Sequence, residues 1–369
     1  MNQPSGGDNI LFQNEIIANN PFLWISPKPS RLRSLSSFIF IFLNSLFACS
    51  ILIMTSRYLS ARLGLPRFPT STAFLILITS IFVSVNIFFL HRFDFLKISQ
   101  LLDENWAKIA VSIDPAVMSL IGKYQKRQIV LCNFFLIATI FLWLPFVIRG
   151  LMYNQNLIAR TVWIFSFLIV CCAAWSRASI MYMLFTCCTF IKAAFYGVAD
   201  RVKELHGDEK KFSLINLEAC RFLHSIGIDM VRSCNGVWKY YIPIFTLYQA
   251  ASIILLLYGT SYQLKFDFIR LTASFCLLES ILALSVVFFF VIEINLEANK
   301  AYHDIYKLSI GDRNDDMKYE VILFLDRLKY KDVGFSFMNT SVITPRIIWT
   351  LLTAISTCII ALPSFYEEG

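Results

Sequence analysis

The sequence predicts an all-α membrane protein with seven transmembrane helices. Of its 369 residues 57% are hydrophobic and only 16% are charged, whereas soluble domains have about 45–50% apolar and about 25% charged residues. The apolar residues gather in continuous stretches of membrane-spanning length, unlike the alternating strands of an outer-membrane barrel. The basic residues fall almost entirely between these stretches and are concentrated in alternate loops. These three observations define the fold class.

Seven stretches have the length and the apolar content of a transmembrane helix, which needs about 20 residues. A more polar tail, residues 1–35, precedes them, and together they form one domain, residues 36–366. We number them spans 1 to 7, at about residues 36–56, 71–91, 128–148, 161–190, 241–261, 271–292 and 346–366.

The loop charges orient the chain in the membrane. The N-terminal tail and the loops after spans 2, 4 and 6 hold 24 Lys and Arg residues, against 7 in the other loops and the C-terminal tail. Basic residues are enriched in cytoplasmic loops. We therefore expect a cytoplasmic N-terminus and an extracellular C-terminus, which is opposite to G-protein-coupled receptors. The net charge of +8 follows from this orientation and does not indicate a nucleic-acid partner.

One glycosylation sequon, Asn339-Thr340-Ser341, lies in a loop predicted to be cytoplasmic. Glycans are added to such sequons in secreted and lumenal segments. We therefore predict that Asn339 is unmodified.

Motifs of catalysis are missing from the sequence. It has no GxxxxGK[ST], HExxH or GxSxG pattern. The four histidines are scattered, and most of the cysteines lie within spans, where they behave as small apolar residues. We predict no enzymatic activity, no cofactor and no metal.

Two ionisable residues lie inside predicted spans, Arg177 in span 4 and Glu279 near the middle of span 6. Charge within a bilayer is costly and often marks a functional site. The two residues can form a structural ion pair that fixes the helix bundle. They can equally line a ligand cavity or an ion path, and the sequence leaves both interpretations open.

Aromatic and polar residues collect toward the predicted extracellular halves of spans 3 to 6. Ligand cavities combine apolar walls with a few polar groups, although Trp and Tyr also form interfacial belts in membrane proteins. Span 5 contributes the polar residues Tyr248, Gln249 and Ser252. The candidates for a ligand pocket are Trp143, Phe146, Trp163, Trp175, Tyr258, Tyr262 and Glu279.

The loops after spans 4 and 6 have the apolar periodicity of helices. The loop 191–240 is predicted to form two helices that meet near residues 206–208, and residues 318–330 form an amphipathic run. Segment 293–345 is thus predicted to be a cytoplasmic anchor whose apolar face packs on other inner helices or on other subunits. Its apolar positions recur at spacings of three and four: Ile294, Ala298, Ala301, Ile305 and Leu308.

Span 7 is rich in small and hydroxylated residues, including Thr350, Thr353 and Thr357. Small residues allow close helix packing, and hydroxyl groups can face a neighbouring helix or water. Close packing and a pore-lining role are both consistent with this composition.

The end of the chain resembles a family signature. Thr357 and Phe365 match the first and last residues of the Thr-Tyr-x5-Gln-Phe motif of arthropod gustatory receptors, with Cys358 in place of Tyr and Ser364 in place of Gln. Upstream, Gly334-Phe335 followed by an asparagine resembles the segment that leads into the family's last span. With its seven spans, cytoplasmic N-terminus and long inner helices, the chain resembles this branch of the insect-type chemoreceptor superfamily.

The resemblance implies a homotetrameric, ligand-gated, non-selective cation channel in the plasma membrane of sensory cells. The implied partners are a small-molecule ligand, membrane lipid, permeating cations and further copies of the chain or related receptors. The ligand would bind among the outer halves of spans 2 to 6. The last span would line the pore, and the substitution of Gln by Ser leaves the ion selectivity open. The implied pore and gate residues are Thr357, Ala361, Ser364 and Phe365.

Three other functions remain as alternatives: an odorant-receptor subunit that needs a co-receptor, a secondary transporter and a metabotropic receptor. Transporters often contain internal repeats and broken helices, and we find no clear repeat. The ligand class is not indicated, since sugars, bitter compounds, carbon dioxide and light are all stimuli in the wider family.

Overall fold

The computed structural model describes residues 44, 70–92, 95–110, 115–153, 157–207, 213–263, 268–309, 314–329 and 333–361. Span 1, apart from Asn44, and the gate candidates Ser364 and Phe365 lie outside the described residues. The described part is mostly helical, as predicted. Its helices are α1 Thr70–Arg92, α2 Phe95–Ala110, α3 Pro115–Tyr153, α4 Leu157–Gly207, α5 Leu214–Tyr258, α6 Phe268–Lys300, α7 Tyr302–Ser309, α8 Asp315–Lys329 and α9 Pro345–Ala361.

Four of these helices contain a segment long and apolar enough to cross a membrane. They are α3, α4, α5 and α6, which correspond to spans 3 to 6. Spans 2 and 7 correspond to shorter apolar segments, Leu77–Leu90 in α1 and Pro345–Ala361 in α9. The chain is therefore a membrane protein, while the total of seven spans and their orientation stay predictions.

Helix α4 is the centre of the bundle. It packs against α1, α3, α5 and α6, and most of its side chains from Ala173 to Val202 are buried. Its 51 residues extend over about 77 Å at 1.5 Å per residue, which is more than twice the roughly 30 Å of a bilayer core. It therefore continues well beyond span 4.

The helices that continue beyond spans 4 and 6 follow the predicted periodicity. Helix α4 ends at Gly207, and α5 begins after Ser213, whose hydroxyl group accepts a hydrogen bond from the backbone of Asn216. All five periodic apolar residues between Ile294 and Leu308 are buried, and Val321, Phe324 and Leu328 of α8 are buried in the same core. The apolar face of the anchor segment thus packs within the chain.

A short β-hairpin departs from the all-helical prediction. Strands β1, Ser336–Phe337, and β2, Ser341–Val342, pair antiparallel just before α9. The hairpin turns at Met338 and Asn339, whose φ angles of 47° and 63° are left-handed, a conformation that Asn tolerates better than most residues. The segment is bound to α5 and α6, because Asn235 accepts a hydrogen bond from the Ser336 amide and Asn295 donates one to the Val333 carbonyl, both at 2.9 Å.

Two glycines of α5 should respond oppositely to alanine. A Cβ at Gly227 would lie 2.8 Å from the ring of the buried Phe195 on α4, whereas a Cβ at Gly236 would meet nothing within 4 Å. We expect Gly227→Ala to lower the free energy of unfolding by about 1–3 kcal/mol through overpacking. Gly236→Ala should raise it by about 0.5–1 kcal/mol through backbone entropy.

The melting temperature of the purified full chain is measured, with fluorescence-detected size-exclusion chromatography as the readout of the folded fraction. Gly236→Ala is the matched control, since it makes the same chemical change in the same helix. Equal shifts for the two variants would contradict the close contact between α4 and α5.

Candidate ligand site and pore helix

An ion pair lies inside the helix bundle between α4 and α6. The guanidinium of Arg177 lies 2.5 Å from the carboxylate of Glu279, and their side chains are only 6% and 11% exposed. Arg177 also donates a hydrogen bond to Thr139 of α3, whose hydroxyl oxygen is 3.3 Å from the same carboxylate oxygen. The structure therefore joins the two charges that the sequence places within spans, and it adds a third helix to their contact.

Two tyrosines of α5 complete this group. The side chains of Tyr241 and Tyr248 lie within electrostatic range of the Arg177 guanidinium. The ring of Tyr248 stacks on Phe82 of α1, with centroids 3.9 Å apart and planes 1° apart. Helices α1, α3, α4, α5 and α6 therefore converge here. We call this group the intramembrane polar cluster: Thr139, Arg177, Tyr241, Tyr248 and Glu279.

Gln249 directly follows Tyr248 on α5. Its side chain is fully buried, and neither atom of its amide group has a hydrogen-bond partner among the described residues. The Tyr241 hydroxyl also lacks one within the described part of the chain. A buried polar group without a partner costs about 1–3 kcal/mol, so this part of α5 is suited to a ligand that offers hydrogen bonds.

The other pocket candidates are distributed along α3, α4 and the end of α5. Tyr258 is buried at the end of α5, and its ring centroid is 5.5 Å from that of the exposed Tyr262. Trp163 and Trp175 are half-buried on α4, and Trp175 packs against the main core. The structure thus brings Tyr258 and Tyr262 together and places Glu279 in the polar cluster. On α3, Trp143 is half-buried, and Phe146 belongs to the same helix, but its side chain lies outside the described part.

Sequence reasoning missed Thr139 and Tyr241 as site residues. A threonine in an apolar helix is ordinary, since its hydroxyl can bond to the carbonyl four residues earlier, as Thr139 does with Phe135 at 2.7 Å. Tyr241 stands at the start of span 5, where an aromatic residue indicates an interface. Tyr241 and Tyr248 are seven residues apart and therefore share one face of a helix. This spacing is the sequence signal that could have identified Tyr241 as a site residue.

Helix α9 has one packed face and one open face. Ile355 is buried, and Ile348, Leu351 and Ile359 pack beside it against the core. Thr350, Thr353 and Thr357 lie on the opposite side and are exposed. Each threonine hydroxyl donates to the carbonyl four residues earlier, at 2.8–3.2 Å. We call these three residues the hydroxyl stripe.

The remaining gate candidates are described only in part. Ala361, the last residue of α9, is half-buried. Ser364 and Phe365 lie beyond the described residues. Along α9, Trp349 is 71% exposed and Ile360 is 77% exposed, so apolar and hydroxyl side chains alike face away from the rest of the chain.

Comparison with known proteins gives a match in structure alone. No protein-family model matches the sequence, and no curated protein is similar to it. The insect olfactory receptor OR5 from Machilis hrabei in complex with eugenol superposes with a TM-score of 0.69 and 12% sequence identity, over 97% of this chain and 100% of that chain. A second structure of the same receptor gives a TM-score of 0.66, also at 12% identity, over 96% and 99% of the two chains. The predicted resemblance to the insect-type chemoreceptor superfamily is therefore confirmed at the level of the fold: this chain has the fold of an insect olfactory receptor.

Proposed function

We propose that the chain is a gustatory-receptor-like subunit of a ligand-gated, non-selective cation channel that detects a small molecule. Four copies surround a central pore in the plasma membrane of a sensory cell, with α9 of each copy lining the pore. The shared fold with OR5 supports a chemoreceptor of this superfamily.

The hydroxyl stripe of α9 is the observation that carries the pore assignment. It faces away from the chain's own core, in a helix of membrane-protein composition. Hydroxyl groups on such a face suit water or a neighbouring subunit better than lipid. Thr357 therefore belongs to the proposed pore wall, and Ala361, Ser364 and Phe365 continue it toward the gate.

The intramembrane polar cluster and Gln249 form the proposed inner wall of the ligand pocket. Ligand pockets are mostly apolar, with a few polar groups that fix the orientation of the ligand. Tyr248 and Phe82 supply stacked aromatic surface, and Gln249 supplies an amide without a partner among the described residues. The ligand therefore has both apolar area and at least one hydrogen-bonding group.

An odorant-receptor subunit is the second candidate, because the structural neighbours are olfactory receptors. Such a subunit would need a co-receptor to conduct. The two candidates differ in one observable, the current from cells that express this chain alone.

Current recording during application of a ligand panel tests both the channel and the pocket. The panel includes eugenol, because OR5 is complexed with it. We expect cation currents from the chain expressed alone. For an activating compound, Gln249→Leu should raise the half-maximal concentration about tenfold, since a ligand loses one buried hydrogen bond worth roughly 1.4 kcal/mol.

Gln128→Leu is the matched control for this variant. Gln128 is also buried, but its amide donates to the Phe185 carbonyl at 3.0 Å, so its replacement should lower stability without changing ligand sensitivity. Currents that need a co-expressed subunit would favour the odorant receptor, and saturable uptake without unitary currents would contradict a channel.

The orientation is tested at Asn339. This residue is exposed at the turn of the hairpin, so a glycosyltransferase would have access to it if the hairpin were lumenal. Absence of a glycan on the native protein agrees with the proposed cytoplasmic anchor, and a glycan there would overturn it.

A further inference from the structure

A cavity of about 160 Å³ lies between the inner parts of α3, α4 and α6, far along the bundle from the outer aromatic residues. It is smaller than the roughly 300–1,000 Å³ of pockets for drug-sized ligands. Its volume suits a small polar group better than a whole stimulus molecule. It is lined by Ile121, Tyr124, Cys188, Thr189, Lys192, Ala193, Tyr196, Phe290, Glu293 and Glu297.

Charges of both signs face this cavity, beside aromatic rings. The Lys192 ammonium lies 2.6 Å from the Glu293 carboxylate and 5.1 Å from the ring centroid of Tyr124. Glu297 is held by Lys300, at 3.1 Å, whose ammonium lies 5.3 Å from the ring centroid of Tyr196. The two carboxylates have the capacity for several further hydrogen bonds, since each can accept about four.

The cavity lies at a predicted membrane boundary. Lys192 follows the end of span 4 by two residues, and Glu293 follows the end of span 6 by one. Toward the membrane side of Glu293, one face of α6 exposes large apolar side chains, with Phe289 59%, Leu282 41% and Leu278 51% exposed. A polar cavity thus lies about one helical turn from a surface fit for hydrocarbon chains.

We propose that this cavity binds the headgroup of a zwitterionic phospholipid that carries a primary ammonium. The ammonium donates hydrogen bonds to Glu293 and Glu297, beside the native ammonium groups of Lys192 and Lys300. The phosphate pairs with Lys192. The acyl chains lie along the exposed apolar face of α6. An anionic headgroup without an ammonium offers no such donor to the two carboxylates and is disfavoured.

Native mass spectrometry of the purified full chain tests this proposal by titration with dihexanoyl phosphatidylethanolamine, dihexanoyl phosphatidylglycerol and free phosphoethanolamine. We expect the ethanolamine lipid to bind about tenfold or more tightly than the glycerol lipid, because a charge-assisted hydrogen bond contributes roughly 1.5–3 kcal/mol. Free phosphoethanolamine should bind more weakly than the lipid. Glu297→Gln and Lys192→Gln should each lower the affinity for the ethanolamine lipid about tenfold.

Asp229→Asn is the matched control for Glu297→Gln. It removes an exposed carboxylate that lies 3.7 Å from Arg232, away from the cavity lining, and should leave lipid affinity unchanged. Equal binding of the two lipids by the wild-type chain would overturn the proposal without reference to any variant. Full affinity in a folded Glu297→Gln protein would overturn the site, and free phosphoethanolamine binding as tightly as the lipid would overturn the lipid assignment. None of these results depends on channel currents.

Discussion

Replacing Arg177 by Met or Glu279 by Gln, each alone, is expected to lower the free energy of unfolding by about 3–5 kcal/mol. Each change leaves a charged side chain buried without its partner. Glu279, which remains in the first variant, is 11% exposed, and Arg177, which remains in the second, is 6% exposed. Thr139 would still offer a hydrogen bond to the remaining side chain, but a single hydroxyl cannot replace an opposite charge. The melting temperature of the full chain gives the measurement.

The double variant Arg177→Met with Glu279→Leu distinguishes the pair from its separate members. Apolar replacement of a whole buried ion pair is often neutral or stabilising, so the double variant should recover most of the loss. Arg232→Met is the control, since Arg232 belongs to an exposed pair and should have no measurable effect. Two single variants as stable as the wild type would contradict a buried pair.

The same variants separate a structural role from a functional one. A double variant that reaches the cell surface and responds normally to ligand assigns the pair to bundle stability alone. Loss of response at normal stability and surface level assigns it to the ligand site.

Thr357→Cys in a Cys358→Ser background is expected to make the current sensitive to a charged thiol reagent. Thr357 lies on the hydroxyl stripe, and the native Cys358 is itself exposed on α9 and must be removed. Reaction with a trimethylammonium-bearing methanethiosulfonate would place four fixed positive charges in the proposed pore. Each repels a passing cation by roughly 0.5–1 kcal/mol in water, so together they should reduce the cation current about tenfold or more.

Ser285→Cys in the same background is the matched control. Ser285 is also exposed, and its hydroxyl also donates to the carbonyl four residues earlier, at 2.8 Å from Ile281, but it lies on α6. The reagent should leave its current unchanged. Block of both variants, or of neither, would contradict the assignment of α9 to the pore.

Much of the helical framework could be predicted from the sequence, because membrane helices and amphipathic helices have strong periodic signals. The burial of Ile294, Ile305 and Leu308 follows from their spacing alone. The hairpin could not be predicted in this way. Its strands contain two residues each, and they are stabilised by contacts with Asn235 and Asn295, more than 35 residues away in sequence.

The candidate site was predictable only in part, for a geometric reason. An intramembrane charge is conspicuous in any sequence, which is why Arg177 and Glu279 could be singled out. Which helix face meets which neighbour depends on the rotation and tilt of each helix, and these are set by packing across the bundle. The participation of Thr139 depends on that rotation, and so does the lack of a partner for the Gln249 amide among the described residues.

The unbroken length of α4 has one more consequence. Arg177 and Lys192 lie on the same continuous helix, 15 residues or about 22 Å apart. Because the helix is continuous, a rigid tilt that displaces the part near Arg177 also displaces the part near Lys192. A stimulus that repositions Arg177 would therefore act on the same helix as a phospholipid that holds Lys192. By thermodynamic linkage, each ligand would then change the affinity for the other by the same factor. For the proposed chemoreceptor, the surrounding bilayer would then help to set how much stimulus is needed to activate it.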